Sequence, residues 1–284
     1  MGRLPAPAGA WLGRRLGDLA WVVLGRRRRT AMANLEVAFP ALSREERRRL
    51  ARRSFQHLGV TAVELCDLLR GPADRVLGGI VMDGRHHLDE VLARHGRALV
   101  VTAHLGNWEL LSLAHRLVGH PLAIVVRPLD APWLNNLVER LRVEAGVEII
   151  AKRRALRPVL EALHGGRLVG ILLDQNASRR EGVFVPFFNR LASTSRSVAA
   201  LAIRTGTPIV PLFINREGTG RHRVTMCPPL LPATTGSARE EAIIELTGRC
   251  TEVIEAAIRR APEQWLWFHD RWRTRPAAER ASDR

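Results

Sequence analysis

Between residues 98 and 173, short apolar runs rich in β-branched residues alternate with segments whose apolar residues recur every three or four positions, and few folds accept that order. Residues 98–103, 122–126, 147–150 and 168–173 read as buried strands, and 108–118, 131–145 and 155–164 as helices. A strand needs a long crossover to run parallel to its predecessor, and a helix is the usual one. The pattern therefore predicts an α/β fold, a mostly parallel central sheet with helices on both faces. Residues 208–214 and 222–227 are expected as later strands, the second at an edge. Residues 240–260 are expected as a long closing helix with Cys250 on its apolar stripe. A chain of 284 residues, 46% of them hydrophobic, is ample for one large core.

The N-terminal part, residues 1–70, reads as a helical segment belonging to the same fold as residues 71–284. No stretch approaches the roughly 20 apolar residues of a spanning helix, and no signal-peptide pattern is present. Trp11, Trp21 and the arginines at 26–29 suit an amphipathic helix at a lipid interface; a packed helix with a solvated arginine run is the alternative. Ser43 with Glu46 forms a capping box that opens a helix, and 60–70 reads as a second, shorter one ended by Gly71-Pro72. The net charge of +16 is carried almost wholly by arginine, Lys152 being the one lysine, and favours phosphate-bearing partners. Cys66, Cys227 and Cys250 are odd in number and far apart, which predicts reduced core thiols and neither a disulfide frame nor a zinc site. His86 and His87 lack ligand-like neighbours and read as surface or capping residues.

No nucleophile elbow, zinc-protease helix, dinucleotide fingerprint or P-loop is present. What stands out is His104 at the end of a strand, with Gly106-Asn107 as turn and helix cap, and Glu109 five residues on. A histidine can take a proton from an alcohol if a second group fixes its tautomer, and Glu109, swung back by the turn, can be that group. With no serine or cysteine beside it, His104 would serve a substrate's own hydroxyl. Histidine and carboxylate at this spacing also arise by chance, so a purely structural pair stays open. Asp174, followed by Gln175, ends another strand; it either faces the same crevice, since ligands gather at the carboxyl ends of parallel strands, or caps the loop. Arg140 and Arg142 flank opposite edges of the apolar stripe of Trp133, Leu137, Val138 and Leu141, so either can reach a phosphate. Phe184, Phe187 and Phe188 suit an apolar pocket or simply the core.

Thr102-Ala-His-Leu-Gly-Asn-Trp-Glu109 resembles the His-x4-Asp/Glu signature of glycerolipid acyltransferases, in the form found in the bacterial lipid A late acyltransferase family. Asn34-Leu35 with Phe39-Pro40, Arg127-Pro128, Arg142 before Gly146, Asp174-Gln175, 185–188, and Pro262 to His269 with Arg271-Trp272 are similar to that family in the same order. The resemblance implies transfer of a fatty acyl chain from acyl carrier protein or acyl-CoA to a hydroxyl of a phosphorylated glycolipid, such as a lipid A precursor. The setting would be the cytoplasmic face of the inner membrane, with peripheral or monotopic attachment and an anionic membrane surface as partner. It implies no cofactor, no metal, no covalent acyl-enzyme and no nucleic acid. Residues 71–284 would be the acyltransferase domain, with His104 and Glu109 catalytic. Asn107, Arg127, Arg140, Arg142, Asp174 and Gln175 would contact substrate, and Phe184, Phe187 and Phe188 would line an acyl pocket. Asn189 stands where the family usually has glycine, which touches the local turn and acyl-chain selection. A related branch acylates phosphatidylinositol mannosides. A thioester hydrolase and a basic membrane- or RNA-binding module are the readings of other classes.

Overall fold

The computed structural model describes residues 5–68, 76–232 and 239–277. Its helices are α1 (Ala6–Val23), α2 (Gly25–Ala38), α3 (Arg44–Leu68), α4 (Arg85–His95), α5 (Leu111–Val118), α6 (Pro132–Glu144), α7 (Leu156–His164), α8 (Ser197–Thr205) and α9 (Arg239–Arg260). The strands are β1 (Ile80–Asp83), β2 (Ala98–Thr102), β3 (Leu122–Val126), β4 (Glu148–Ala151), β5 (Leu168–Leu172), β6 (Gly182–Phe187), β7 (Arg190–Ser195), β8 (Ile209–Gly218) and β9 (Arg221–Met226). Among the described residues seven strands make one sheet in the order β1-β9-β8-β2-β5-β3-β4, in which only β8 and β9 pair antiparallel. The expected α/β architecture is present, with helices on both faces.

Strand alternation sends side chains to opposite faces. From β2, Leu99 and Val101 join a core with Trp21, Leu35 and Phe55 of the N-terminal helices, Val159 of α7 and Ile254 of α9. Ala98 and Val100 join the opposite core with Leu88 of α4 and Leu113 of α5. Cys250 is fully buried as expected, but Cys66 is exposed: it lies on the outer side of α3. Trp133 is 71% exposed and Val138 is the buried residue of α6, so the expected stripe there is narrower than its periodicity suggests.

Several expected boundaries change. Strand β9 is not an edge, because the unforeseen β1 pairs with it, Ile80 opposite His222. Residues 182–195 form a separate hairpin, β6 with β7. The capping box is made, Ser43 N–H donating to Glu46 and Glu46 N–H to Ser43 Oγ, but the helix it opens does not break near residue 60. Gly71-Pro72 lies outside the described residues. Gly59, mid-helix in α3, is instead where α1 crosses. A Cβ on Gly59 would lie 2.0 Å from Gly13 O, and one on Gly17 would lie 2.4 Å from Gln56 Cα. Gly59→Ala is expected to push the helices apart and cost about 1–3 kcal/mol, read as a lower melting temperature with loss of amide protection in α1.

Trp21 closes that packing edge-on to Phe55 at 5.4 Å, so it belongs to the core and not to the outer face of α1. The outer face carries Trp11, Leu19, Val22 and Val23, each 60% exposed or more. No helix among the described residues is long and apolar enough to cross a membrane.

Asn189 sits in the two-residue turn of the β6–β7 hairpin, where Phe188 adopts φ 54°. Its carboxamide donates to the carbonyls of Val37 at 3.0 Å and Ala38 at 3.2 Å, fastening the hairpin to the end of α2. A glycine would lack both bonds.

Candidate active site

Adjacent parallel strands bring the site together. Strand β2 pairs with β5, Thr102 opposite Leu172, and continuing that register by two residues sets His104 opposite Asp174. His104 Nδ1 lies 2.9 Å from Asp174 Oδ1, and the His104 backbone N–H donates to Asp174 Oδ2 at 3.0 Å. Trp265 Nε1 donates to the same oxygen at 2.7 Å. Asp174 is therefore held by three donors and, although burial opposes its charge, His104 and these bonds bring its carboxyl down to about 2. For His104, burial disfavours the cation, but Asp174 and then Glu109 outweigh it, with Arg142 opposing, and the imidazole is raised above its ordinary value. Gln175 places its carboxamide 3.3 Å from His104 Nε2.

The expected contact of Glu109 with the imidazole is replaced by another. Glu109 accepts a fork from Arg142, Nη2 to Oε1 at 2.8 Å and Nε to Oε2 at 3.1 Å, and a bond from Trp108 Nε1 at 3.0 Å. The residue next to His104 in the folded chain is the one on the neighbouring strand, and the short helical turn Trp108–Leu110 turns Glu109 toward α6. Arg142 is correspondingly committed to Glu109, with both side chains mostly buried, and does not offer a free fork to phosphate. Arg140 is exposed, and Arg127 pairs with Asp130 at the surface at 3.2 Å.

Asn107 is fully buried and its side chain makes no cap; it donates to Glu64 Oε2 at 2.8 Å. Two amide groups of the motif loop are taken, Leu105 N–H by Ala103 O and Gly106 N–H by Gln264 O. Gly106 has φ 62°, and a Cβ there would meet Ile214 O at 1.9 Å, so only glycine fits.

An apolar cavity adjoins the site between the sheet and helices α4 and α5. It runs along the strands from Thr102, Glu109 and Arg142, at their carboxyl ends, to Leu122 and Leu168 at their amino ends. Phe184, Phe187 and Phe188 do not line it. Phe187 and Phe188 lie in the other core, where they pack with Trp265, Trp267 and Trp272. The C-terminal segment is the part of the site that residue spacing did not reveal. Besides Trp265 it supplies Arg271, fully buried over the Phe187 ring and lowered to about 10 by burial, with Asp174 opposing. Its Nη1 donates to Ser193 O at 2.8 Å. His269, lowered to about 4 mainly by burial, accepts the Asn176 N–H at 3.0 Å. The density of tryptophan, histidine and arginine between 262 and 272 was the available signal.

The model of the bacterial lipid A biosynthesis acyltransferase family matches residues 1–274. The chain belongs to that family. As an acyltransferase of this family it has relatives along nearly its whole length. It is 30% identical to the lipid A biosynthesis lauroyltransferase of Escherichia coli over 96% of this chain and 88% of that one. It is 28% identical to the palmitoleoyltransferase of the same organism over 98% and 89%. A phosphatidylinositol mannoside acyltransferase of Mycobacterium tuberculosis is 25% identical over 70% of this acyltransferase and 60% of its own length.

Proposed function

We propose that this acyltransferase moves a fatty acyl chain from a thioester donor, acyl carrier protein or acyl-CoA, to a hydroxyl of a phosphorylated glycolipid of the lipid A precursor class. The observation that carries this reading is the His104 Nδ1–Asp174 bond standing beside an apolar cavity that ends at Glu109 and Arg142. Asp174 keeps a proton on Nδ1, which leaves the Nε2 lone pair, faced by the Gln175 carboxamide at 3.3 Å, to accept the hydroxyl proton as the oxygen attacks the thioester carbonyl. Negative charge on the carbonyl oxygen is met by the Gln175 carboxamide and by Nη1 of Arg142, whose Nε and Nη2 are the nitrogens bonded to Glu109. Collapse breaks the carbon–sulfur bond, and the imidazolium returns its proton to the departing thiolate. Glu109, through its charge, stabilises the imidazolium and holds Arg142 in place.

The cavity takes the acyl chain in place of the three phenylalanines. A Cβ on Gly170 of β5 would lie 3.3 Å from Ile124 Cγ2 and 3.7 Å from Leu122 Cδ1, all three residues being in the cavity wall. Gly170→Leu is expected to shift the preference between long and short acyl donors by about tenfold or more toward the short. Competition between donors of two lengths measures it, and an unchanged ratio would place the chain elsewhere.

Exposed Arg127, Arg140 and Arg153 near the carboxyl ends of the strands supply positive charge for the phosphorylated headgroup. The apolar outer face of α1, followed at once by Arg26 to Arg29, suits monotopic attachment to an anionic membrane, with its glycine face left to the protein. The acceptor is tested by comparing membrane lipids of cells with and without the gene by mass spectrometry, together with the fate of label on acyl carrier protein. Label in a lipid A precursor supports the reading. Label in a mannoside lipid would favour the branch represented by the mycobacterial relative, and label released only as free fatty acid would mean a hydrolase.

A further inference from the structure

We infer that Glu64 is a positioning residue, which fixes the turn between His104 and Glu109 by holding the buried carboxamide of Asn107. The inference rests on the acyl-transfer reading above for its kinetic consequence. Glu64 lies on α3, remote in sequence from the motif, yet its carboxylate joins a closed circuit of bonds around it. Asn107 Nδ2 donates to Glu64 Oε2 at 2.8 Å. Arg216, on β8, donates Nε to Glu64 Oε1 at 2.9 Å and Nη2 to Oε2 at 2.6 Å. The backbone of Arg216 is in turn bonded on both sides by the Gln264 carboxamide, N–H to Oε1 at 2.8 Å and carbonyl to Nε2 at 3.0 Å. Gln264 closes the circuit, its backbone carbonyl accepting the Gly106 N–H at 3.0 Å.

The circuit thus grips Gly106 and Asn107, the two residues midway between the base and the carboxylate that holds Arg142. Burial works against the Glu64 charge, but His222, whose Nε2 is 3.5 Å from Oε1, and Arg216 keep it ionised, its carboxyl well below the usual range. Asn107 is the only link from the motif side chains to this carboxylate among the bonds of the described residues. A turn held this tightly fixes where Trp108 and Glu109 stand, and small misplacements at a reacting centre have large kinetic effects.

Asn107→Asp sets a second carboxylate against Glu64. Adding Glu64→Gln restores that bond with its polarity reversed, the carboxamide now on α3 donating and the carboxylate now in the motif loop accepting, although Arg216 Nη2 loses the acceptor it shared with Asn107. The expected result is a kcat about tenfold or more lower for the single variant at unchanged donor KM, with recovery of part of that loss in the double variant. Where Asn107→Asp does not fold, Asn107→Ser, which removes the bond without adding charge, is expected to show the same split. A kcat within twofold of wild type in the single variant, or a double variant no better than Asn107→Asp, overturns the inference. Amide exchange over residues 104–109, read on the same proteins without substrate, separates it from the acyl-transfer reading. Local loss of protection in the single variant and its return in the double support the circuit whatever the reaction, and unchanged protection overturns it. An inactive wild type with this exchange pattern would count against the reaction alone.

Discussion

Asparagine at position 174 is expected to lower kcat by about two to four powers of ten, and alanine at position 104 by at least as much. The carboxylate accepts from His104 Nδ1, the His104 amide and Trp265 at once. A carboxamide can present its NH2 to Nδ1, which would move the ring proton to Nε2 and remove the base. Asp174→Asn carries a sign in pH as well. As the proposed base His104 would work unprotonated, and because its pKa is raised, mainly by Asp174 against burial, the rise of kcat/KM with pH should come above about 6.5. Without the carboxylate's charge the cation loses its main support, so the acid limb of Asp174→Asn should move to lower pH. Rates followed from pH 5 to 9 with one acyl donor measure both, and a limb that stays in place would remove Asp174 from the mechanism.

Opposite pH shifts are expected from the two halves of the Glu109–Arg142 pair, each with a rate loss of about one to two powers of ten. Glu109 supports the His104 cation and Arg142 opposes it. Glu109→Gln removes the favourable charge and leaves the guanidinium unbalanced, moving the acid limb to lower pH. Arg142→Met leaves the carboxylate unbalanced beside the ring and moves it to higher pH. Because the pair is mostly buried, each single variant also strands a charge, and the double variant should lose less than the sum of the singles. Parallel shifts in the two singles would show that the pair does not act on His104 through its charges.

Much of this site was legible in sequence, and the rest was hidden by strand order. Strands β2, β3 and β5 announce themselves as apolar runs because both their faces are covered. His104 follows from the position at which one of them ends. Its partner does not, because β2 lies beside β5 and β8 and not beside β3, which follows it in the chain. Proximity in sequence favoured Glu109, whereas the register that sets Asp174 opposite His104 exists only once β5 is known to be the neighbour. Glu64 was invisible for the same reason, being one carboxylate in a helix whose partners come from β8 and the motif loop. The four residues of β1 were too few to show a period, and the continuity of α3 through Gly59 depends on α1, which presses a glycine face against it.

The strap formed by residues 264–271 has a consequence for the order in which the protein becomes active. Leu105 pairs with Trp265, Leu266 N–H bonds His104 O, and Asn34 of α2 donates to the carbonyls of Trp267 and His269. Base, orienting carboxylate and motif loop are all synthesised well before this segment, which gives Asp174 its third donor and the loop its clamp. The site is thus incomplete until residues 264–271 have packed against His104 and the motif loop. Assembly of the site therefore waits on a residue synthesised 91 positions after Asp174.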